Sequence, residues 1–235
     1  MSSPNGQVII GDVPKDKSQL VLYIIRADET SYIIYIKPLI LAQKLAIPHV
    51  ISLVDTTSQW AYKIHPERMV PALVDPESGE AFRVFEGTAC LQYLADRFDT
   101  HGEWAGRTAA ERGAVFTWVA YQTAGIGPIQ LPRTITKLHE NTTKQWDTLE
   151  KQLAKKGQQY IALADRPTLA DLSYFPFAMP WMFTFLDVDI KDWPDIEAWA
   201  TRMLARPTIQ NIMGRAKTFS HDMTPEQARE LKEAV

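Results

Sequence analysis

Two short segments of this sequence carry groups that suit a small zwitterionic ligand. In Phe85-Glu86-Gly87-Thr88-Ala89 a strand-like pattern ends and a helical one begins. Free amide groups and the positive end of a helix dipole would favour a carboxylate there. The carboxylate of Glu86 could pair with an ammonium. The two functions together suit an α-amino acid group, whereas the simpler alternative is that Glu86 only stabilises the first helical turn.

The other segment is Met69-Val70-Pro71-Ala72, in which a proline directly precedes a strand-like run. A cis peptide bond before Pro71 would leave the backbone N–H and C=O of Val70 facing out of the sheet, where they could pair with an extended peptide. A trans proline at the start of a strand is the more common case, since only about 5% of X-Pro bonds are cis. The local sequence leaves both forms open.

The other reactive residue types form no catalytic or metal-binding pattern. The five histidines are scattered, without a pair at metal-ligand spacing, so we expect no metal site. The single cysteine, Cys90, falls inside the helix that follows Glu86, where we expect a buried, inert thiol. We find no glycine-rich phosphate loop and no nucleophile elbow.

Hydrophobic periodicity places both segments in a small mixed domain. After an N-terminal tail rich in Pro, Gly and Lys, the order strand, helix, strand indicates a parallel βαβ unit. A strand hairpin and a further helix follow it. The predicted strands cover residues 20–25, 50–54, 70–75 and 81–85, and the helices cover 31–45, a short stretch near Trp60, and 86–98.

The second half of the chain shows only helical patterns. They follow residues 99–107, which lose periodicity, contain two glycines and form the best candidate linker. In Arg166-Pro167-Thr168-Leu169-Ala170-Asp171, the spacing of Thr168 and Asp171 predicts a capping box. We therefore predict an α/β domain over residues 1–98 and an all-helical domain over 107–235. Its predicted helices cover 108–121, 133–153, 168–177 and 193–206.

Composition limits the function. The 25 basic and 28 acidic residues among 235 leave a net charge of -3, and no basic run stands out, so binding to nucleic acid or to an anionic membrane is not expected. The N-terminus is polar and lacks a signal-peptide pattern, and no stretch approaches 18 uninterrupted apolar residues. With its single cysteine, the chain is expected to be a soluble cytoplasmic protein.

The order of elements and the three motifs together resemble the cytosolic glutathione transferase family over essentially the whole chain. The family has a thioredoxin-like N-terminal domain, followed by a C-terminal helical bundle. Four segments are also similar to fungal glutathione transferases encoded in biosynthetic clusters of specialised metabolites, such as that of the gliotoxin pathway. These segments are Ile36-Lys37-Pro38-Leu39-Ile40-Leu41, Ile47-Pro48-His49, Met69-Val70-Pro71-Ala72 and Gly157-Gln158-Gln159-Tyr160.

The resemblance implies glutathione as cosubstrate and a homodimer. It implies a cis-Pro loop at Met69, Val70 and Pro71, so we predict a cis bond there, and a γ-glutamyl site at Glu86 and Gly87. It assigns the thiol-activating hydroxyl to Ser31, or to Thr30 beside it. Two positions depart from the family pattern: Gly87 replaces a hydroxyl residue, and Ile34 stands where many fungal relatives have Asn.

The resemblance also implies the chemistry. A glutathione thiolate would attack a bulky, largely apolar electrophilic metabolite bound between the domains, giving either an S-conjugate or cis-trans isomerisation of an activated alkene. Trp118, Tyr121 and Gly125 are the candidate substrate-pocket residues. The break Gly125-Ile126-Gly127-Pro128 would either open the helix for a large ligand or only end it. The alternative function is a non-catalytic binding or regulatory protein on the same fold.

Overall fold

The computed structural model describes residues 7–10, 19–25, 32–76, 82–126, 134–179, 183 and 188–216. Contacts divide the chain into two compact units. The first comprises Met1–Phe98 with Gln210–Val235, and the second comprises Asp99–Ile209. The predicted helical domain starts later, at residue 107, and includes the C-terminal residues that the contacts group with the first unit.

The first unit contains a mixed sheet with the strand order β1-β3-β2-β4-β5. β1 and β2 each pair with β3 in parallel, whereas β4 is antiparallel to both β2 and β5. The predicted βαβ unit and hairpin are confirmed. The strands are β1 (Gln7–Ile10), β2 (Leu20–Ile24), β3 (His49–Leu53), β4 (Ala72–Asp75) and β5 (Phe82–Phe85), and the helices are α1 (Tyr32–Lys44), α2 (Gly87–Phe98) and a 3-10 helix over Gln59–Lys63.

The central strands form the core of this unit. All residues of β2 and β3 are buried, as is typical of strands covered on both faces. α1 packs against α2 and buries Ile36, Leu39 and Ile40. β5 differs, because it lies at the edge of the sheet and three of its four residues are exposed.

The tail prediction is wrong for Gln7–Ile10. This segment forms β1, which pairs in parallel with β3 so that Ile9 lies opposite Ser52. The physical reason is its composition, because Val8, Ile9 and Ile10 are β-branched and favour a strand. Pro and Gly residues stand on both sides of this run and Lys residues follow it, so the average composition of the segment is typical of a tail.

The predicted linker begins as a hydrogen-bonded loop. The Asp99 carboxylate accepts hydrogen bonds from the backbone amides of Glu103, Trp104 and Ala105, at 2.9, 2.7 and 2.9 Å. Gly102 and Gly106 both have positive φ, and a Cβ at either would come within 2.6 Å of backbone. The two glycines therefore allow a tight turn here rather than an extended connection.

The described residues after Phe98 form helices and no strand, as predicted. The helical pattern continues past the predicted end at residue 206, because Pro207 suits the first position of another helix. None of the described helices is both long enough and apolar enough to span a membrane. The helices are α3 (Ala109–Ile126), α4 (Thr134–Leu153), α5 (Leu169–Tyr174), α6 (Pro194–Leu204) and α7 (Pro207–Ala216), with 3-10 turns at Phe175–Ala178 and Ile190–Asp192.

The predicted capping box is present at the start of α5. The buried Asp171 carboxylate accepts hydrogen bonds from the Thr168 amide at 2.7 Å, the Ile161 amide at 3.0 Å and the Trp199 indole at 2.8 Å. Burial raises the pKa of Asp171, and the donated hydrogen bonds oppose that shift. Asp171 therefore joins the N-terminus of α5 to α6 and to the preceding loop.

A second acidic residue connects α4 to α6. The Glu150 carboxylate accepts hydrogen bonds from the amides of Asp195 and Ile196, at 3.0 and 2.9 Å. Both amides belong to the first turn of α6, where backbone donors have no partner within the helix. Glu150 thus caps α6 from a neighbouring helix and stabilises its positive dipole end.

Candidate functional site

The predicted cis peptide bond between Val70 and Pro71 is confirmed. Val70 precedes the paired residues of β4, which begin at Ala72, and that residue pairs with Tyr23 on one side and Phe85 on the other. No described residue makes a backbone hydrogen bond to Val70. Met69, just before it, is 42% exposed, so this loop presents main chain and an apolar side chain at the surface.

Arg68 holds the segment that leads to this peptide bond. Its guanidinium donates a hydrogen bond to the Thr57 carbonyl at 3.1 Å and lies 4.9 Å from the centre of the Tyr62 ring. Arg68 has a φ of 56°, which is unusual for a residue other than glycine. The segment between the 3-10 helix and β4 is therefore fixed by side-chain contacts.

Glu86 connects β5 to α2 in a left-handed backbone conformation, with a φ of 75°. Its carbonyl accepts the hydrogen bond of the Cys90 amide at 2.9 Å, so Glu86 occupies the N-cap position of α2. The Glu86 side chain is 71% exposed. A non-glycine residue held in this region is typical of functional sites.

His65 contacts Glu86 through its side chain. The Nε2 atom of the buried imidazole lies 3.7 Å from Oε1 of Glu86, while Nδ1 accepts a hydrogen bond from the Glu67 amide at 3.0 Å. The ring meets Phe85 edge-on, with centroids 4.8 Å apart. Sequence reasoning misses His65, because it weighs histidines only by their spacing along the chain.

The electrostatics of this corner suit a zwitterion. The first turn of α2 contains no acidic residue, so the positive end of its dipole is not neutralised from within the turn. The Glu86 carboxylate stands directly before that turn and remains accessible. A ligand with adjacent carboxylate and ammonium groups could therefore contact the helix start and Glu86 together.

Comparisons with known proteins give the family. A model of the glutathione S-transferase C-terminal domain matches residues 133–202. Glutathione S-transferase aclG of Aspergillus oryzae is 60% identical over 86% of this chain and 98% of its own length. The chain belongs to the glutathione transferase family. The predicted family, its enzyme class and its use of glutathione are thereby confirmed.

A second relative and a solved structure are also similar to this chain. The trimodular acetylaranotin synthesis protein ataIMG of Aspergillus terreus is 63% identical over 83% of the chain, which corresponds to 21% of that larger protein. The crystal structure of glutathione transferase URE2P8 from Phanerochaete chrysosporium with oxidised glutathione superposes with a TM-score of 0.72. It is 25% identical, with coverage of 87% of this chain and 97% of that one.

The two residues predicted to activate the thiol lie outside the described residues. Both Thr30 and Ser31 are there, directly before α1 of this glutathione transferase, which starts at Tyr32. Ile34, which replaces the Asn of many fungal relatives, is in the first turn of α1. The assignment of Ser31 therefore stays a prediction.

The three candidate substrate-pocket residues of this glutathione transferase all lie on α3. Trp118 is partly buried and meets Tyr121 and Tyr174 edge-on, at centroid distances of 6.0 and 6.3 Å. At Gly125, a Cβ would come within 1.7 Å of the Gln145 side chain, which donates a hydrogen bond to the Tyr121 carbonyl. Gln145 thus fills the space beside Gly125.

α3 continues through Gly125 to Ile126, and Gly127 and Pro128 lie outside the described residues. Among the described residues, His, Cys, Asp and Glu side chains form no group of three that could hold a metal ion.

Cys90 of this glutathione transferase is buried, as expected. Its sulfur lies 3.7 Å from the Val84 carbonyl oxygen, and burial raises the pKa of the thiol to about 12. The thiolate, which is the reactive form, is therefore scarce at neutral pH. The protein's own cysteine is unsuited to attack an electrophile, even though it lies one helical turn after Glu86.

We predict that Cys90 resists alkylation in the folded protein. At pH 8, four units below the pKa of about 12, on the order of one thiol in 10⁴ is ionised, and the side chain is fully buried. Treatment with iodoacetamide followed by mass measurement should leave the native chain unlabelled and add one label in 6 M guanidinium. Full labelling of the native chain within minutes would contradict both the burial and the raised pKa.

Proposed function

We propose that this protein transfers glutathione to a bulky, largely apolar electrophile during biosynthesis of a fungal specialised metabolite. The observation that carries the proposal is the position of the cis Val70–Pro71 peptide beside Glu86 at the start of α2, in a chain of this family. Ala72, which follows that peptide, pairs with Phe85, which directly precedes Glu86. The relative named for acetylaranotin synthesis supports the metabolic role. The word transferase in the name of the Aspergillus oryzae relative favours conjugation over isomerisation.

The binding mode follows from the chemistry of the site. The cysteinyl backbone of glutathione would pair with Val70, which lies outside the β4 ladder, as an added strand pairs with a sheet. Its γ-glutamyl ammonium would contact Glu86, and its carboxylate would contact the amides that begin at Gly87. Met69 and Pro71, which flank Val70 in this loop, would contact the bound glutathione. Ser31 would donate a hydrogen bond to the thiolate.

The reaction would proceed in two steps. The glutathione thiolate attacks an electron-poor carbon of the acceptor and forms a C–S bond, and the displaced electron pair either takes up a proton or leaves with a leaving group. The half-buried rings of Trp118 and Tyr121 on α3 support an apolar acceptor, because aromatic side chains line most small-molecule sites. With a cis alkene, reversal of the attack after bond rotation would give the trans isomer and free glutathione.

Dialkyl maleates of increasing chain length test this function, since they are activated cis alkenes. We expect enzyme and glutathione to give products heavier by one glutathione, with kcat/KM rising from the methyl to the butyl ester because each buried CH₂ contributes about 0.8 kcal/mol. Product masses and alkene geometry are measured against an enzyme-free control. Fumarate of unchanged mass would indicate isomerisation, and no rate above the control with any ester would indicate a binding protein without this activity.

The γ-glutamyl assignment predicts the effect of changing Glu86. Glu86→Ala should weaken glutathione binding by about 1.5–3 kcal/mol, the range for a hydrogen bond to a charged group, because the ammonium loses its partner. Tryptophan fluorescence titration measures the affinity. Glu67→Ala is the matched control, since it removes an exposed carboxylate of the neighbouring loop and keeps the amide that bonds His65. Equal affinities for the native chain and Glu86→Ala would contradict the assignment.

We also propose a homodimer. Each unit exposes large apolar side chains, which in soluble proteins commonly mark an interface. The first unit exposes Phe82 and Phe85 on its edge strand, and the second exposes Phe116, at 46%, 41% and 55%. In this family one N-terminal domain pairs with the helical domain of its partner about a two-fold axis, which would cover both regions.

Sedimentation equilibrium tests the dimer. At micromolar concentration the chain should sediment with twice its 26.7 kDa mass, and Phe116→Asp should shift it towards the single chain by placing a charge in an apolar interface. Lys156→Asp changes the charge of another exposed position in the same unit and serves as control. A single-chain mass for the unchanged protein would contradict the dimer, and a dimeric Phe116→Asp variant would exclude this surface.

A further inference from the structure

The imidazole of His65 is held in one orientation. It is buried, its ring packs edge-on against Phe85, and its Nδ1 atom accepts the Glu67 amide hydrogen at 3.0 Å. Because Nδ1 serves as an acceptor, the proton of the neutral ring is on Nε2. Nε2 is therefore a donor whose direction is set by the rest of the loop.

That donor faces a carboxylate that otherwise extends into solvent. Nε2 lies 3.7 Å from Oε1 of Glu86, a distance at which the contact is electrostatic rather than a full hydrogen bond. The Glu86 side chain is 71% exposed, and among the described side chains His65 is the one found in polar contact with it. An exposed glutamate samples several rotamers, so a buried, fixed donor on one side lowers the entropy lost when a ligand binds.

We propose that His65 is a positioning residue for glutathione: its Nε2–H orients the Glu86 carboxylate to accept the γ-glutamyl ammonium. This inference rests on the proposed function, in which Glu86 binds that ammonium. His65 itself contacts neither glutathione nor the reacting sulfur in this scheme. Its substitution should therefore change the affinity for glutathione and leave the chemical step alone.

Two substitutions separate this role from simple support of the loop. In His65→Asn, the side-chain oxygen can replace Nδ1 as acceptor for the Glu67 amide, but nothing reaches Glu86. In His65→Gln, the longer amide can replace Nε2 as donor to Glu86, but the Glu67 amide loses its acceptor. A loop-supporting role predicts that Gln is the damaging change, whereas a positioning role predicts that Asn is.

The experiment compares two ligands by calorimetry: glutathione, and its analogue that lacks the γ-glutamyl amino group. We expect His65→Asn to raise the Kd for glutathione about 3–10-fold, as for the loss of one modest polar contact, with the Kd for the analogue unchanged. His65→Gln should restore most of the affinity. In turnover, the KM for glutathione should rise in His65→Asn while kcat stays constant. Adding His65→Asn to Glu86→Gln should cause no further loss, because both changes remove one interaction.

Several outcomes would overturn the inference. It fails if His65→Asn weakens the binding of both ligands equally, or if His65→Gln weakens glutathione binding more than His65→Asn does. It also fails if the effects of His65→Asn and Glu86→Gln on the Kd add fully in the double variant. If His65→Asn leaves the Kd for glutathione unchanged while Glu86→Gln raises it, the positioning role of His65 is excluded and the proposed function stands. If Glu86→Gln itself leaves the Kd for glutathione unchanged, the proposed γ-glutamyl site is wrong, and the role of His65 falls with it.

Discussion

The antiparallel pairing of β4 with β5 is the constraint on which the candidate site depends. Its register places Ala72 opposite Phe85, so the residues before β4 and those after β5 lie at the same end of the hairpin. The cis peptide at Pro71 and the N-cap residue Glu86 are thereby neighbours in space. Cys90 closes this corner, with its sulfur 3.7 Å from the Val84 carbonyl and 4.0 Å from that of Pro71. A slip of one residue in this register would move the two candidate ligand-binding segments apart and reverse which faces are buried.

Periodicity predicts most of the fold, because local patterns determine where helices and strands form. It fails where the signal is not periodic. β1 is only four residues long, and the loop that starts at Asp99 is held by one carboxylate and two glycines with positive φ. The site is predicted in part, through motifs that stay contiguous in sequence. His65 could not be found this way, because its contact with Glu86 exists only once the hairpin has formed.

Gly125 is a further position whose role the sequence alone does not determine. The sequence alone shows a glycine near a helix end and leaves two roles open, a widened site or a turn. In the structure it lies within α3, and the Gln145 side chain occupies the space that a Cβ would need. The Gln145 amide donates a hydrogen bond to the Tyr121 carbonyl at 2.7 Å and accepts one from the Tyr174 hydroxyl at 2.9 Å. The glycine therefore permits a buried polar connection between α3, α4 and α5. The requirement for glycine is set by a residue twenty positions away in sequence.

The γ-glutamyl end of glutathione is separate from its reacting sulfur, which explains how a glycine at position 87 is compatible with catalysis. A hydroxyl at this position would contact the γ-glutamyl carboxylate, several bonds from the sulfur. That interaction is equally strong before and during attack, so it contributes to binding rather than to kcat. Without it, the backbone amides of α2 still offer donors and a favourable dipole to the carboxylate. Stabilisation of the glutathione thiolate must come from hydrogen-bond donors near the sulfur, because the Glu86 carboxylate contributes only negative charge, which disfavours a second anion. At the proposed γ-glutamyl site, the glycine at position 87 is therefore expected to change the affinity for glutathione without altering the chemical step.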